Sequence, residues 1–461
     1  MTSPLWTSDE IAEATGGTAH GAFSANGVAF DSREIEAGDL FIALKGEATD
    51  GHRFVAQALG RGAAGAIVSE PIEAPHILVA DTTGALNALG RASRARSEAK
   101  IVGVTGSAGK TGTKEALFAA LDRPARGKAH RSVKSYNNHT GVPLSLSRMK
   151  RESRFGVFEM GMNHAGELAA LTRLVRPHVA IVTTIASAHR EFFATEADIA
   201  DAKGEIFRGL EPGGVALLPF DSPHRDRLVR HAEPHAASIV TFGFGEGADI
   251  RATYAIRAAS GGTLVTATMG DIHLSYTVSQ PGDHWVSNSL AVMGAVYAVG
   301  GDLAAAGLAL ADLPGIKGRG ERHLVPIHGG EALLIDESYN ANPASMAATL
   351  RTFGLEKVDG SRIAVLGAMR ELGPGSDDFH AGLAPHIEAA KVDYAILVGE
   401  EMGALAKALG STCEMAHVAD AAAAAGLVQD AIGPGDAILV KGSNSVGLAA
   451  LVDALAAETD R

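Results

Sequence analysis

An apolar, β-branched run, Ile101-Val102-Gly103-Val104-Thr105, passes into a loop of small residues and then into a helix-like stretch through Glu115-Ala116-Leu117-Phe118. Runs of strand length follow at residues 155–160 and 179–185, with a helix-like segment at 166–174 between them. Such alternation predicts βαβ units and a mainly parallel sheet. The texture changes near residues 252–280, where Ile272-His273-Leu274-Ser275-Tyr276-Thr277-Val278 alternates apolar and polar positions behind a Gly270-Asp271 turn. That pattern predicts an antiparallel flap with one face in water. Residues 290–313 are strongly apolar but broken by Gly300-Gly301-Asp302, which predicts buried helices rather than a membrane span. After a hinge-like Pro314-Gly315-Ile316-Lys317-Gly318, strand-length runs resume at 333–335, 363–366, 394–398 and 438–440, with Ala-rich helices between them. Residues 1–98 carry short strands with Gly-Asp turns and lead into a basic helix at 91–100. No internal repeat is visible, and the alanine tract at 421–425 predicts plain helix.

The expected fold is α/β with three domains, which the length of 461 residues suits at about 150 residues each. An N-terminal domain spans 1–98. A central domain over 99–317 holds a parallel sheet around the small-residue loop, with the small antiparallel flap. A C-terminal Rossmann-like α/β domain spans 318–461. Net charge is -13 with no long Lys/Arg run, which argues against a nucleic-acid binder or a partner of anionic membranes. The single cysteine, Cys413, allows no intramolecular disulfide and fits a reducing compartment. The first ten residues lack a basic segment and an apolar core, so no signal peptide is expected.

The small-residue loop reads Gly106-Ser107-Ala108-Gly109-Lys110-Thr111. Glycines let backbone N–H groups close around phosphate oxygens, a lysine adds a point charge, and a threonine hydroxyl can ligate Mg²⁺. The usual first glycine slot is Val104, so the loop is a tighter variant; the bland alternative is an ordinary β–turn–helix junction. An acid ending a neighbouring strand should help hold the metal, and Glu159 is so placed unless it is a solvated strand end. His189, just past the run at 179–185, is a second candidate ligand or else a capped loop histidine. Lys203, in Asp201-Ala202-Lys203-Gly204-Glu205, reads on spacing alone as a surface helix lysine. No Asn is followed by Lys, so the guanine-recognition motif of switch GTPases is absent.

Taken together, five motifs resemble the Mur ligase family. Phe30-Asp31-Ser32-Arg33, Gly38-Asp39-Leu40-Phe41-Ile42-Ala43-Leu44-Lys45-Gly46 and Asp50-Gly51-His52 resemble the family's first domain. Ser135-Tyr136-Asn137-Asn138-His139-Thr140-Gly141-Val142-Pro143-Leu144 resembles a central-domain signature, and Asp336-Glu337-Ser338-Tyr339-Asn340-Ala341-Asn342-Pro343-Ala344-Ser345-Met346 a third-domain one. The resemblance runs from about Asp31 to Gly447. It implies a cytoplasmic, monomeric enzyme of peptidoglycan precursor synthesis, without nucleic-acid or membrane partners. ATP would phosphorylate the terminal carboxylate of UDP-N-acetylmuramoyl-tripeptide, and the amine of D-alanyl-D-alanine would displace phosphate from the acyl phosphate.

The resemblance also implies roles. Gly106, Ser107, Ala108, Gly109, Lys110, Thr111 and Gly112 would hold the ATP phosphates. Thr111 with Glu159 would hold one Mg²⁺; His189 and Lys203, carbamylated by CO₂, would hold a second. Lys110, Glu159, His189 and Lys203 form the implied catalytic set. His284 and Asn288 would lie on the adenine side, Arg319 would reach the phosphates, and Glu337 would bind the ribose. Asp31, Ser32, Arg33, Lys45 and Gly46 would frame the uridine diphosphate. Asn137, Asn138 and Thr140 would line the peptide channel, and Tyr339, Asn340 and Asn342 would face the dipeptide. The chain departs from the family pattern at Thr184-Ile185-Ala186 and Arg190-Glu191 around His189, at Gly367-Ala368-Met369, and at Asn444 after Lys441-Gly442-Ser443. Alternatives are another Mur-type amino-acid ligase, a folylpolyglutamate ligase, or a non-catalytic protein that closes around ATP. Residues 1–98 argue against the second, and Lys203 with His189 against the third.

Overall fold

Nine strands build the central sheet of the computed structural model, which describes residues 3–46, 49–187, 191–258 and 262–457. Their order is Ile272–Val278, Thr263–Met269, Ile250–Arg257, Ser238–Gly243, Val215–Pro219, Val179–Val182, Lys100–Thr105, Phe155–Glu159 and Ala129–Arg131. The seven strands from Ala129–Arg131 to Ile250–Arg257 are parallel, and the last two turn antiparallel. Strand geometry sends alternate side chains to opposite faces. Val102, Val104, Val157 and Ile181 therefore enter one core, under the helices Lys110–Ala125 and Asp283–Ala298. Ile101, Phe158, Ala180 and Val182 enter the other, under Glu167–Val175. The expected flap is an extension of the main sheet, joined through Ile250–Arg257, and not a separate unit.

The third domain's sheet runs Glu321–Ile327, Gly330–Glu337, Ala437–Lys441, Arg362–Gly367, Tyr394–Val398 and Glu414–Val418, parallel except for its first pair. Its first and last strands are absent from the sequence reading. Both are edge strands with few buried positions, and Pro326 interrupts the first. The first domain has a five-stranded sheet, Thr18–His20, His76–Leu78, Gly65–Val68, Asp39–Ile42 and Gly27–Ala29. The basic helix expected at 91–100 is instead Thr82–Ala95, capped by Asp81, and Lys100 already opens the next strand. The apolar stretch forms two helices: Asp283–Ala298 is mostly buried as expected, whereas Leu303–Ala311, capped by Asp302, buries only Ala306, Ala309 and Leu310 and leaves Leu308 exposed. Among the described residues no helix is long and apolar enough to cross a membrane.

Candidate active site

Three adjacent parallel strands end at one place. Lys100–Thr105 runs into the loop 106–109, Phe155–Glu159 ends on Glu159, and Val179–Val182 is followed by Thr183. Gly106 and Gly109 adopt positive φ, +152° and +80°. A Cβ on Gly106 would lie 1.9 Å from the Thr183 hydroxyl, so a side chain there would break the loop. Thr183 fixes the loop by donating to the carbonyls of Ala108 (2.5 Å) and Thr105 (3.2 Å). Ser107 is held by Thr184, whose carbonyl accepts its N–H at 2.9 Å. Gly109 caps the helix Lys110–Ala125, aiming that helix's unpaired N–H groups at the loop. Asn288 packs against Gly109, and Trp285 against Gly112.

Glu159 is 1% exposed. Its carboxylate accepts from Thr111 Oγ1 (2.9 Å) and Asn137 Nδ2 (2.8 Å), and its own N–H donates to Ser132 Oγ (3.0 Å). It is thus not a solvated strand end. Lys110 Nζ donates to the Gly106 carbonyl at 2.8 Å. Burial lowers its pKa, the carboxylate of Glu159 raises it, and Arg319 lowers it again; the net direction is down.

Lys203 departs most from what spacing suggests. It is 1% exposed, on the helix Glu196–Gly204, and not on the surface. Burial, and then the charge of Lys110, push its ammonium well below the usual lysine range. Its helix is anchored by Asp201, which takes Arg227 Nη1 (2.6 Å) and His231 Nε2 (2.9 Å) from the neighbouring helix Arg225–Ala232. His189 lies outside the described residues.

The third domain reaches the same place. Asn342 caps the helix Pro343–Gly354 through a reciprocal bond with Ser345, and its Nδ2 donates to the Ser107 carbonyl at 3.3 Å. Arg319 stacks over the Tyr339 ring at 4.3 Å. Buried Lys441 donates to Glu337 Oε2 (3.2 Å) and to the Asn340 carbonyl (2.9 Å), fixing the turn that carries Tyr339 and Asn340. Glu337 and His284 both line a pocket between the second and third domains. Burial pulls the His284 imidazole pKa down, against the pull of Glu337.

The remaining residues from the sequence reading make hydrogen bonds to groups outside the loop or are exposed. Asp31 and Arg33 pair through three side-chain hydrogen bonds (Nε–Oδ1 2.9 Å, Nε–Oδ2 3.2 Å, Nη2–Oδ2 2.7 Å), with Arg33 81% exposed, and Ser32 Oγ donates to Gln57 (2.9 Å). Lys45 and Gly46 are exposed. Asn138 Oδ1 accepts from Thr140 Oγ1 (3.0 Å) and Gly141 N (2.9 Å), which starts the helix Gly141–Ser147. Sequence reading misses Thr183 and two buried polar anchors. Lys114 Nζ donates to the Lys134 carbonyl (2.5 Å), and Glu205 accepts from Gly166 N (2.8 Å) at the start of Glu167–Val175. A polar residue inside a helical run carries no periodic signal of such a role.

An anion-binding helix terminus, a buried strand-end carboxylate and a converging third domain define a nucleotide-dependent enzyme, and its class follows from relatives. The chain belongs to the Mur ligase family. It matches the Mur ligase family catalytic domain over residues 24–111, the Mur ligase middle domain over 104–296, and the Mur ligase glutamate ligase domain over 319–444. It is 35% identical to the UDP-N-acetylmuramoyl-tripeptide--D-alanyl-D-alanine ligase of Escherichia coli, across 97% of this chain and 98% of that one. The ligase of the same name from Bacillus subtilis is 32% identical over 93% and 92%. Among solved structures, MurF from Acinetobacter baumannii superposes with a TM-score of 0.84 at 31% identity, covering 98% of this chain and 99% of that chain. MurF from Thermotoga maritima in complex with ADP gives 0.77 at 26%, covering 94% and 98%.

Proposed function

We propose that this chain is an ATP-dependent ligase joining D-alanyl-D-alanine to UDP-N-acetylmuramoyl-tripeptide, a step in making the peptidoglycan precursor. One observation carries the reading: Asn342, within the third-domain motif, bonds the phosphate loop. An amine held by that motif and a phosphoryl group held by the loop then share one small space, which a ligase requires and a switch does not. The three domains divide the task, with 1–98 taking the uridine end, 99–317 the ATP and 318–461 the dipeptide. The enzyme works as a cytoplasmic monomer.

The site suits Mg²⁺. Among the described residues no cluster of three or more His, Cys, Asp or Glu side chains forms a protein-only metal cage. Mg²⁺ is commonly held by one or two protein oxygens together with substrate phosphates, and Thr111 and Glu159 offer two such oxygens. When bound, the metal neutralises charge on the phosphate oxygens. Lys203 suits carbamylation, because that reaction needs a neutral amine and burial favours one. The product carboxylate, with His189, would serve a second ion.

The chain's own residues then act by position and charge. N–H groups of 106–112 and Lys110 hold the triphosphate with its γ-phosphorus in line with the tripeptide carboxylate. A carboxylate oxygen bonds that phosphorus, and the bond to the ADP oxygen breaks. The dipeptide amine, oriented by Tyr339, Asn340 and Asn342, forms the new C–N bond and loses a proton as phosphate departs. Arg319 and Lys110 offset the negative charge gathered there. His284, Asn288 and Glu337 receive the nucleoside, while Asp31, Ser32, Arg33, Lys45 and Gly46 hold the uridine diphosphate. Asn137, Asn138 and Thr140 border the peptide.

The test is product analysis by mass spectrometry with ATP, the tripeptide nucleotide and D-alanyl-D-alanine. The pentapeptide nucleotide should form only when all three are present. Equal yield of an adduct with free L-alanine or glutamate would remove the assignment.

A further inference from the structure

Glu356 follows the helix Pro343–Gly354, and its side chain is 3% exposed. Arg322 of the third domain donates to both its oxygens (Nη1–Oε1 3.1 Å, Nη2–Oε2 2.8 Å). The second partner comes from the other domain. Arg257, the last residue of the strand Ile250–Arg257, donates to Oε2 at 2.8 Å and to the Leu355 carbonyl at 2.6 Å. Arg362 completes the cluster on the Glu356 carbonyl at 2.7 Å. Glu356 and Arg322 also line the cavity shared with His284, Trp285 and Glu337. A buried carboxylate is costly unless its charge is matched, and here half of the match belongs to the neighbouring domain.

We infer that Glu356 is a positioning residue: with Arg257 it latches the third domain to the far end of the central sheet and so completes the nucleotide cavity. It rests on the reading that this cavity receives part of ATP. Loss of the latch leaves only a fraction of molecules with the cavity assembled. Apparent ATP affinity then falls by that fraction, while saturating ATP restores the assembled form and the chemical step. Arg257 does not itself line the cavity and reaches it only through Glu356, so its replacement isolates this effect.

The experiment compares wild type with Arg257→Ala and Arg257→Lys, measuring steady-state kinetics, thermal melting, and direct binding of a non-hydrolysable ATP analogue by calorimetry. The expected result for Arg257→Ala is about a tenfold rise in KM for ATP and in analogue Kd, with kcat within about twofold and the melting temperature kept. The KM for the dipeptide at saturating ATP should not move. Arg257→Lys, able to make one of the two bonds, should fall between. Unchanged KM and Kd would overturn the inference. So would a lower kcat with unchanged KM, or a lowered melting temperature alone, since either marks a purely structural contact. Absence of analogue binding to wild type would instead overturn the ATP reading itself.

Discussion

The phosphate-loop floor and the first-domain turn at Asp31–Arg33 are built in opposite ways. At the floor, Glu159 is 1% exposed and both its oxygens are already held by Thr111 and Asn137. At the turn, Arg33 is 81% exposed and pairs with its near neighbour Asp31. A group that meets developing charge gains from being fixed and dry beforehand, because reorganisation during reaction is what raises the barrier. A group that only captures a large ligand can wait in water. The contrast places chemistry at the floor and affinity at the turn, and substitutions in the two regions should therefore fail differently.

The largest effects belong to the floor. Lys110→Ala and Glu159→Gln should each lower turnover by on the order of 10²-fold or more while the melting transition persists. Glutamine keeps the shape beside Asn137 and Thr111, so loss of activity reports the charge. Near-normal turnover in either variant would break the comparison.

Next comes Lys203. Lys203→Ala should be severely impaired and partly restored by formate or acetate, which can occupy the place of a carbamate, whereas Lys203→Arg should resist rescue. Turnover against carboxylate concentration at fixed ionic strength decides it. Wild-type-like activity in Lys203→Arg would mean that the site uses a cation.

At the turn, Arg33→Ala should raise KM for the tripeptide nucleotide by about tenfold and leave kcat unchanged, the signature of lost uniform binding. A fall in kcat with unchanged KM would erase the distinction between the two regions.

The smallest effect concerns the edge of the floor. His130, in the strand Ala129–Arg131 that leads to Ser132, lies against the Ser145 carbonyl (2.7 Å), and burial lowers its pKa from 6.5 to about 4. The unfolded chain therefore binds the proton first, and His130 subtracts stability progressively as pH falls from 6.5 toward 4. Over that range the melting temperature of wild type should fall by on the order of a few degrees more than that of His130→Gln. Parallel curves would contradict the assignment.

Legibility in the sequence followed periodicity and loop chemistry. The loop 106–111, the strand-end position of Glu159 and the central strands were readable because small residues and β-branched runs have few other uses. The third-domain motif was readable only by family resemblance, since Asn342 reaches Ser107 across 235 positions of chain. Spacing misjudged Lys203 because its burial comes from tertiary packing around Glu196–Gly204, which no local pattern encodes. The edge strands Glu321–Ile327 and Glu414–Val418 were hidden by their half-exposed faces. Glu356 was invisible for a related reason: its two arginines lie 99 and 34 positions away.

The central claim is that ATP activates a carboxylate rather than merely closing the domains. It is tested most directly with tripeptide nucleotide carrying ¹⁸O in both oxygens of its terminal carboxylate. An acyl phosphate passes one of those oxygens to phosphorus, so released inorganic phosphate should carry one ¹⁸O per turnover and the new amide should retain the other. Unlabelled phosphate released alongside the pentapeptide nucleotide would contradict the account.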